Sequence, residues 1–212
     1  MKHLIIIGAS GFGRDIYDMA TESRGYGNEF VVKGFLVHKD AYLHSMDAFE
    51  DYPSILGTID NYKIEEDDVF VCALGDPEQK ERSINVLKSK GASFFSIIHN
   101  TANVSKSAII GEGCVIEQNA FVGSGAIIGS HSLVQLSSVV GHDCKVGSYS
   151  RIDCHVVLVG GSQVGDSSII HTAAIINGNV IVGSKCVVGA SSFVIRKVLD
   201  GNTVFGNPAK KL

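Results

Sequence analysis

Gly141-His142-Asp143-Cys144 sets an imidazole directly before a carboxylate. Histidine is the side chain that most readily gains and loses a proton near neutral pH, and an adjacent carboxylate can fix its tautomer. Such a pair could take the proton from an amine or hydroxyl attacking an acyl group, a contribution of ~10²–10⁴-fold. The residues alone leave a second reading open, that of a surface histidine at a turn. A second candidate is Gly8-Ala9-Ser10-Gly11-Phe12-Gly13, which follows the apolar run Lys2 to Ile7 and precedes a helical pattern through Ile16, Met19 and Ala20 to a stop at Gly25. A strand, a glycine turn and a helix start can hold a phosphate on backbone N–H groups. The spacing is G-x-x-G-x-G rather than the dinucleotide G-x-G-x-x-G, so a tight turn without a ligand also stays open.

These residues need a frame, and the second half of the chain supplies a regular one. Between residues 98 and 194 only 9 of the 40 charged side chains occur, and no proline stands between Pro77 and Pro208. That shift predicts a boundary near residue 95, with domains 1–95 and 96–212. Counting in sixes from Ile98 through Val104, Ile110 and onward to Val194 gives 17 consecutive aliphatic residues without an insertion. Two places before each stands a small residue, broken only by Val156 and Val180. One place after, glycine recurs, as at Gly111, Gly123 and Gly141. A helix repeats every 3.6 residues, so a strict six cannot be one helical face. Short strands joined by tight corners fit it, the hexapeptide β-helix pattern, with glycine expected to supply the corner dihedrals. Three strands per turn make a coil of about 18 residues. His142 then lies two places past the inward Val140 and projects outward. Cys114, Cys144 and Cys186 fall on the small inward position as packing residues, poor nucleophiles because buried thiols stay protonated.

The first 95 residues alternate. A strand is expected over Lys2–Ile7, another over about Phe30–Val37, and a third over Val69–Leu74. A short strand is expected near Ile55 in an otherwise irregular 38–60 segment. Asp76 reads as an N-cap with Pro77 at N1 and Gln79 completing a capping box, the helix running toward Gly91. The result is a small Rossmann-like α/β unit whose glycine turns, around Gly11 and Gly75, lie at the strand C-termini where open parallel sheets bind ligands.

Composition narrows the function classes. The 212 residues carry a net charge of -4 with no basic stripe, so no nucleic-acid partner is expected. No apolar run approaches the roughly 20 residues of a membrane span, so no membrane partner is expected. The apolar start, Leu4 to Ile7, is too short for a signal peptide, which points to a cytoplasmic location. Five cysteines without a C-x-x-C pair argue against a disulfide scaffold or a thiolate zinc site. The zinc site of β-helical carbonic anhydrases is the rival use of prism histidines, but it needs two ligands five residues apart. His131, His142, His155 and His171 are spaced by 11, 13 and 16, so no metal is expected. His99 reads as a domain-junction residue, and His3, His38 and His44 as surface or loop residues.

An early GASGFG turn, Ala73-Leu74-Gly75-Asp76, Ile98-His99-Asn100-Thr101-Ala102, Gly141-His142-Asp143-Cys144 and the terminal Gly206-Asn207-Pro208-Ala209-Lys210 together carry a resemblance over nearly the whole chain. The sequence resembles the bacterial sugar acetyltransferases, both UDP-amino-sugar N-acetyltransferases and sialic-acid O-acetyltransferases, of the hexapeptide-repeat superfamily. The resemblance implies an α/β unit followed by a left-handed parallel β-helix, assembled as a homotrimer with acetyl-CoA between neighbouring prisms. It makes His142 the catalytic base and Asp143 its carboxylate partner. It places the nucleotide-linked sugar acceptor at Ser10, Gly11, Phe12 and Gly75, and acetyl-CoA at Arg151, Thr172 and Ala190. Two departures stand out: Phe12 and Arg151 replace histidines of the family. Lys210-Lys211 reads as a solvated tail or as a partner of the CoA phosphates. The expected activity is N-acetylation of a nucleotide-linked amino sugar in bacterial glycan synthesis. O-acetylation of a sialic-acid-type sugar is the alternative, and a non-catalytic β-helix assembly protein a remote one.

Overall fold

The apolar run at the start forms β1, Lys2–Ile7, in the computed structural model, which describes residues 1–40 and 42–212. Leu4 to Ile7 are wholly buried, as a central parallel strand covered on both faces requires. β2 (Phe30–Val37), β3 (Ile55–Thr58), β4 (Asp68–Cys72) and β5 (Ser93–Phe94) complete a parallel sheet in the order β3-β2-β1-β4-β5. Helix α1, Gly11–Thr21, buries Ile16, Met19 and Ala20 and stops short of Gly25. Its start is pressed onto the end of β1, because a Cβ at Gly13 would collide with the carbonyl oxygen of Gly8, itself at φ +108°. Helix α2, Pro77–Ser89, begins as its sequence prescribes: Asp76 accepts a 2.8 Å hydrogen bond from the Gln79 N–H, and Pro77 fills the first turn.

One side chain of this unit departs from the expectation. His3 is not a surface or loop residue but sits in β1, half-buried, paired in register with Asp68 and Val31. The buried Asp68 carboxylate accepts from Lys33 at 2.8 Å, the Tyr62 hydroxyl at 2.8 Å and the Glu65 N–H at 2.8 Å. Burial would raise its pKa, but these donors prevail and hold it below its usual value. Burial pushes the Cys72 thiol up to about 11, so it is a core residue rather than a nucleophile.

The chain divides into two compact units, Met1–Ile97 and Ile98–Leu212. In the second, two-residue strands stack at a spacing of 18, Phe121 on Val139 and Val139 on Val157, so that each coil is three strands. The resulting prism has sheets of six, five and eight strands. The eight-stranded face ends in an antiparallel pair, Thr203–Phe205 with Lys210–Lys211, so the lysine pair belongs to an ordered strand with its side chains exposed. The aliphatic positions from Ile116 onward point inward and are buried, as are Cys114, Cys144 and Cys186, while Ile98, Val104 and Ile110 are half-buried.

The corners correct one expectation. The glycines one place after each aliphatic residue do not take up the left-handed dihedrals. Those fall two places later, at Asn119, His131, Ser137, Asp143, Tyr149 and their equivalents, eleven non-glycine residues, together with Gly113, Gly125 and Gly161. The glycines serve close approach instead: a Cβ at Gly123 would press on the backbone of Gly141 and His142 in the next coil. Each left-handed residue costs about 1–2 kcal/mol. A coil has three corners but also buries three aliphatic side chains, at about 1.5–3 kcal/mol each, so the stack is favoured. Buried serines on the small inward position close the polar account. Ser150 Oγ donates to Gly165 O at 2.7 Å and accepts from the Ser168 N–H at 3.1 Å, and the pattern repeats up the prism. Among the described residues, no helix is long and apolar enough to cross a membrane.

Candidate active site

After the strand Val139–Val140 the chain turns through Gly141, His142, Asp143 and Cys144 into Lys145–Val146. Asp143 takes the left-handed position, φ 58°, and its N–H is anchored on Ser124 O at 2.9 Å one coil before. The His142 carbonyl is held in turn by the Gly161 N–H at 2.9 Å. The corner is therefore tied to both neighbouring coils, and its side chains leave it in fixed directions. His142 Nδ1 lies 2.9 Å from Asp143 Oδ2, with the two side chains 73% and 72% exposed. The carboxylate takes the Nδ1 hydrogen, which leaves Nε2 as the basic nitrogen. The imidazole lies over Gly160, where a Cβ would collide with the ring. Cys144 points inward against Val159 O at 3.3 Å, a packing contact as expected.

The expected donor-contact residues lie elsewhere. Arg151 donates to Asp153 through Nε at 2.6 Å and Nη2 at 3.1 Å. Asp153, its side chain only 9% exposed, also meets His171 Nδ1 at 2.9 Å. Thr172 follows His171 and is exposed, as is Ala190, which lies 18 residues on in the next coil, where the Ser191 N–H donates to Thr172 O at 2.9 Å. Arg151, Thr172 and Ala190 thus gather along the edge made by turns 153–156, 171–174 and 189–192. His142 belongs to a different edge, made by turns 123–126, 141–144 and 159–162, and one chain does not bring the two sets together. Asp153 and His171 carry no signal as a pair in the sequence beyond their spacing of 18, which stacks them on neighbouring coils.

In the α/β unit a cavity of about 290 Å³ opens at the C-terminal ends of β1, β2 and β4, lined among others by Gly8, Ser10, His38, Tyr42 and Leu74. Ser10 caps α1 and lines the cavity; Gly11 and Phe12 form the first turn of α1, and Gly75 follows Leu74. His38 and Tyr42, whose rings lie 5.0 Å apart, had no signal in the sequence beyond their place in an irregular segment. The remaining prism histidines separate by environment: His131 is buried and stacked on Tyr149 at 5.2 Å, and His155 is exposed. Among the described residues no group of three or more His, Cys, Asp or Glu is arranged to hold a metal.

Comparison with known proteins gives the arrangement its relatives. Residues 3–87 match the PglD N-terminal domain family. No curated protein matched the chain. The acetyltransferase domain of PglB from Neisseria gonorrhoeae is 29% identical over 100% of both chains with a TM-score of 0.88, and it has also been solved with acetyl coenzyme A. PerB from Caulobacter crescentus, solved with CoA and GDP-perosamine, is 23% identical over 100% of this chain and 98% of its own, TM-score 0.86. WeeI from Acinetobacter baumannii is 22% identical over 100% of both chains, TM-score 0.87. The resemblance read from the sequence is thereby borne out, and over its whole length the chain has the architecture of the PglB acetyltransferase domain and of PerB.

Proposed function

We propose that this chain is an acetyl-CoA-dependent acetyltransferase that acts on the amine of a nucleotide-linked amino sugar in bacterial glycan synthesis. The observation that carries the reading is the His142–Asp143 pair, backed by Gly160, in a chain that matches an acetyltransferase domain solved with acetyl coenzyme A from end to end. In this reading Asp143 holds the Nδ1 hydrogen and orients the ring. Nε2 takes the proton of the sugar amine as its nitrogen attacks, and gives a proton back to the departing sulfur. Acetyl-CoA supplies the acyl group as a thioester, and a backbone N–H would steady the developing oxyanion. Gly160 leaves the imidazole uncovered, and the exposed, small Thr172 and Ala190 leave space for an extended arm along their edge.

Residues 1–95 would serve as the acceptor-binding domain, with Ser10, Gly11, Phe12 and Gly75 at the nucleotide-linked sugar. Residues 96–212 would bind acetyl-CoA through Arg151, Thr172 and Ala190. Because these three occupy a different prism edge from His142, the reading calls for a second copy to complete each site, which a homotrimer provides. The location that fits a pool of acetyl-CoA and nucleotide sugars is the cytoplasm.

The test is acetyl-CoA-dependent thiol release by wild type and His142→Ala against UDP-, dTDP- and GDP-linked amino sugars, beside sialic acid and its CMP form. Release with an amino sugar that is lost in the variant supports the reading. Release with sialic acids alone moves the assignment to O-acetylation, and equal rates in both proteins overturn His142 as the base.

A further inference from the structure

The prism carries a second histidine–aspartate pair, and the acyl-donor reading above gives it a task. We infer that His171, oriented by Asp153, contacts the neutral, amide-bearing arm of the acyl donor. The stacking of the coils does not require a histidine–aspartate pair at this place. At the equivalent places one coil before and one coil after stand Gln135 and Gly189, and the stack continues through both. A carboxylate as buried as Asp153 is unfavourable unless it is well paired, and here it is paired three times, twice by Arg151 and once by His171. The pairing has a directional result. Nδ1 is committed to Asp153, so the nitrogen left to meet another molecule is Nε2, and a neutral imidazole held this way offers it as an acceptor. In the next coil Gly189 stacks on His171, and the Phe205 ring packs where a side chain at Gly189 would stand.

Charge selects the ligand. Arg151 and Asp153 neutralise each other at short range, so the edge presents no net positive charge to a phosphate. What remains is a fixed acceptor on a partly exposed ring, next to the exposed Thr172 and one coil below the exposed Ala190. A chain with amide N–H groups fits that surface, and the arm between the thioester and the nucleotide of acetyl-CoA is such a chain. Asp153 is then a positioning residue and His171 the contact.

The experiment is calorimetric titration of the full chain with acetyl-CoA and, separately, with acetylpantetheine, which has the arm but not the nucleotide. His171→Phe is expected to weaken both ligands by the same factor, about fivefold to tenfold, as for one lost hydrogen bond. Asp153→Asn is expected to do the same, and His171→Gln, which keeps an acceptor, to recover most of the affinity. Equal affinities for wild type and His171→Phe would overturn the inference while leaving the acyl-donor reading intact. So would a loss seen with acetyl-CoA and absent with acetylpantetheine, because the contact would then lie at the nucleotide end. A wild type that binds neither ligand would overturn the acyl-donor reading itself. If His171→Phe does not fold, His171→Ala and His171→Gln decide the matter in the same titrations.

Discussion

Two histidine–aspartate pairs in one prism share a hydrogen-bond length of 2.9 Å and little else. In His142–Asp143 the partners are neighbours in sequence, sit on a corner and are both open to solvent. In His171–Asp153 they are 18 residues apart, on successive coils, and the carboxylate is buried beneath Arg151. The exposed pair is held by backbone geometry: the corner's hydrogen bonds fix where the side chains start, and the ring is free to meet a substrate. The buried pair is held by charge, and taking away one partner leaves the others stranded. The same chemical motif is therefore suited to moving a proton in one place and to presenting a fixed contact in the other, and solvent access makes the difference.

That contrast can be broken deliberately. The largest effect is expected from His142→Ala, which should lower kcat by ~10²–10⁴-fold while the melting temperature stays close to wild type, since the side chain is exposed. Asp153→Asn should do the reverse: it removes the charge that holds Arg151 and His171, costing about 3 kcal/mol of stability in a denaturant melt, with the effect in the prism. Gly160→Val leaves both carboxylates and both histidines in place but drives a side chain into the His142 ring. Activity should fall about 100-fold, the scale of an ångström's misplacement of a reacting group, with His171 undisturbed. The smallest effect is expected from Asp143→Asn. Asparagine tolerates the left-handed corner, so the backbone is kept and only the charge is lost. Turnover should drop about tenfold, as for a modest loss of support to a general base, and stability should change by less than about 1 kcal/mol. An Asp143→Asn variant that destabilised as much as Asp153→Asn would erase the distinction between the two pairs.

How much of this was legible beforehand depends on the range of the interaction involved. The cap at Asp76, the strands at Lys2–Ile7 and Phe30–Val37 and the adjacency of His142 and Asp143 are local, and each follows from residues a few places apart. The end of α1 at Thr21 rather than near Gly25 shows the limit even there: the last helical turn is closed by the Glu22 N–H on the carbonyls of Met19 and Ala20. The role of the prism glycines was misread for a physical reason. Glycine suits both a left-handed dihedral and a crowded backbone, and sequence does not say which demand is being met. Here most left-handed positions are taken by residues such as aspartate, serine, tyrosine and histidine, with glycine at 113, 125 and 161, while the glycines one place after the aliphatic residues stand where the next coil comes too close for a Cβ.

The sequence by itself determined the period of six, the coil of 18 that follows from it, the alternating α/β unit before it and the imidazole–carboxylate pair at one corner. Each of these is written as a repeat or a short spacing, and hydrophobic burial enforces it coil after coil. The tertiary structure alone decided which histidines are buried and which are open, that Asp153 lies between Arg151 and His171, and that Arg151, Thr172 and Ala190 share one edge while His142 occupies another. Those outcomes depend on side-chain direction and on what packs over each position, and the chain settles them only when its coils are stacked.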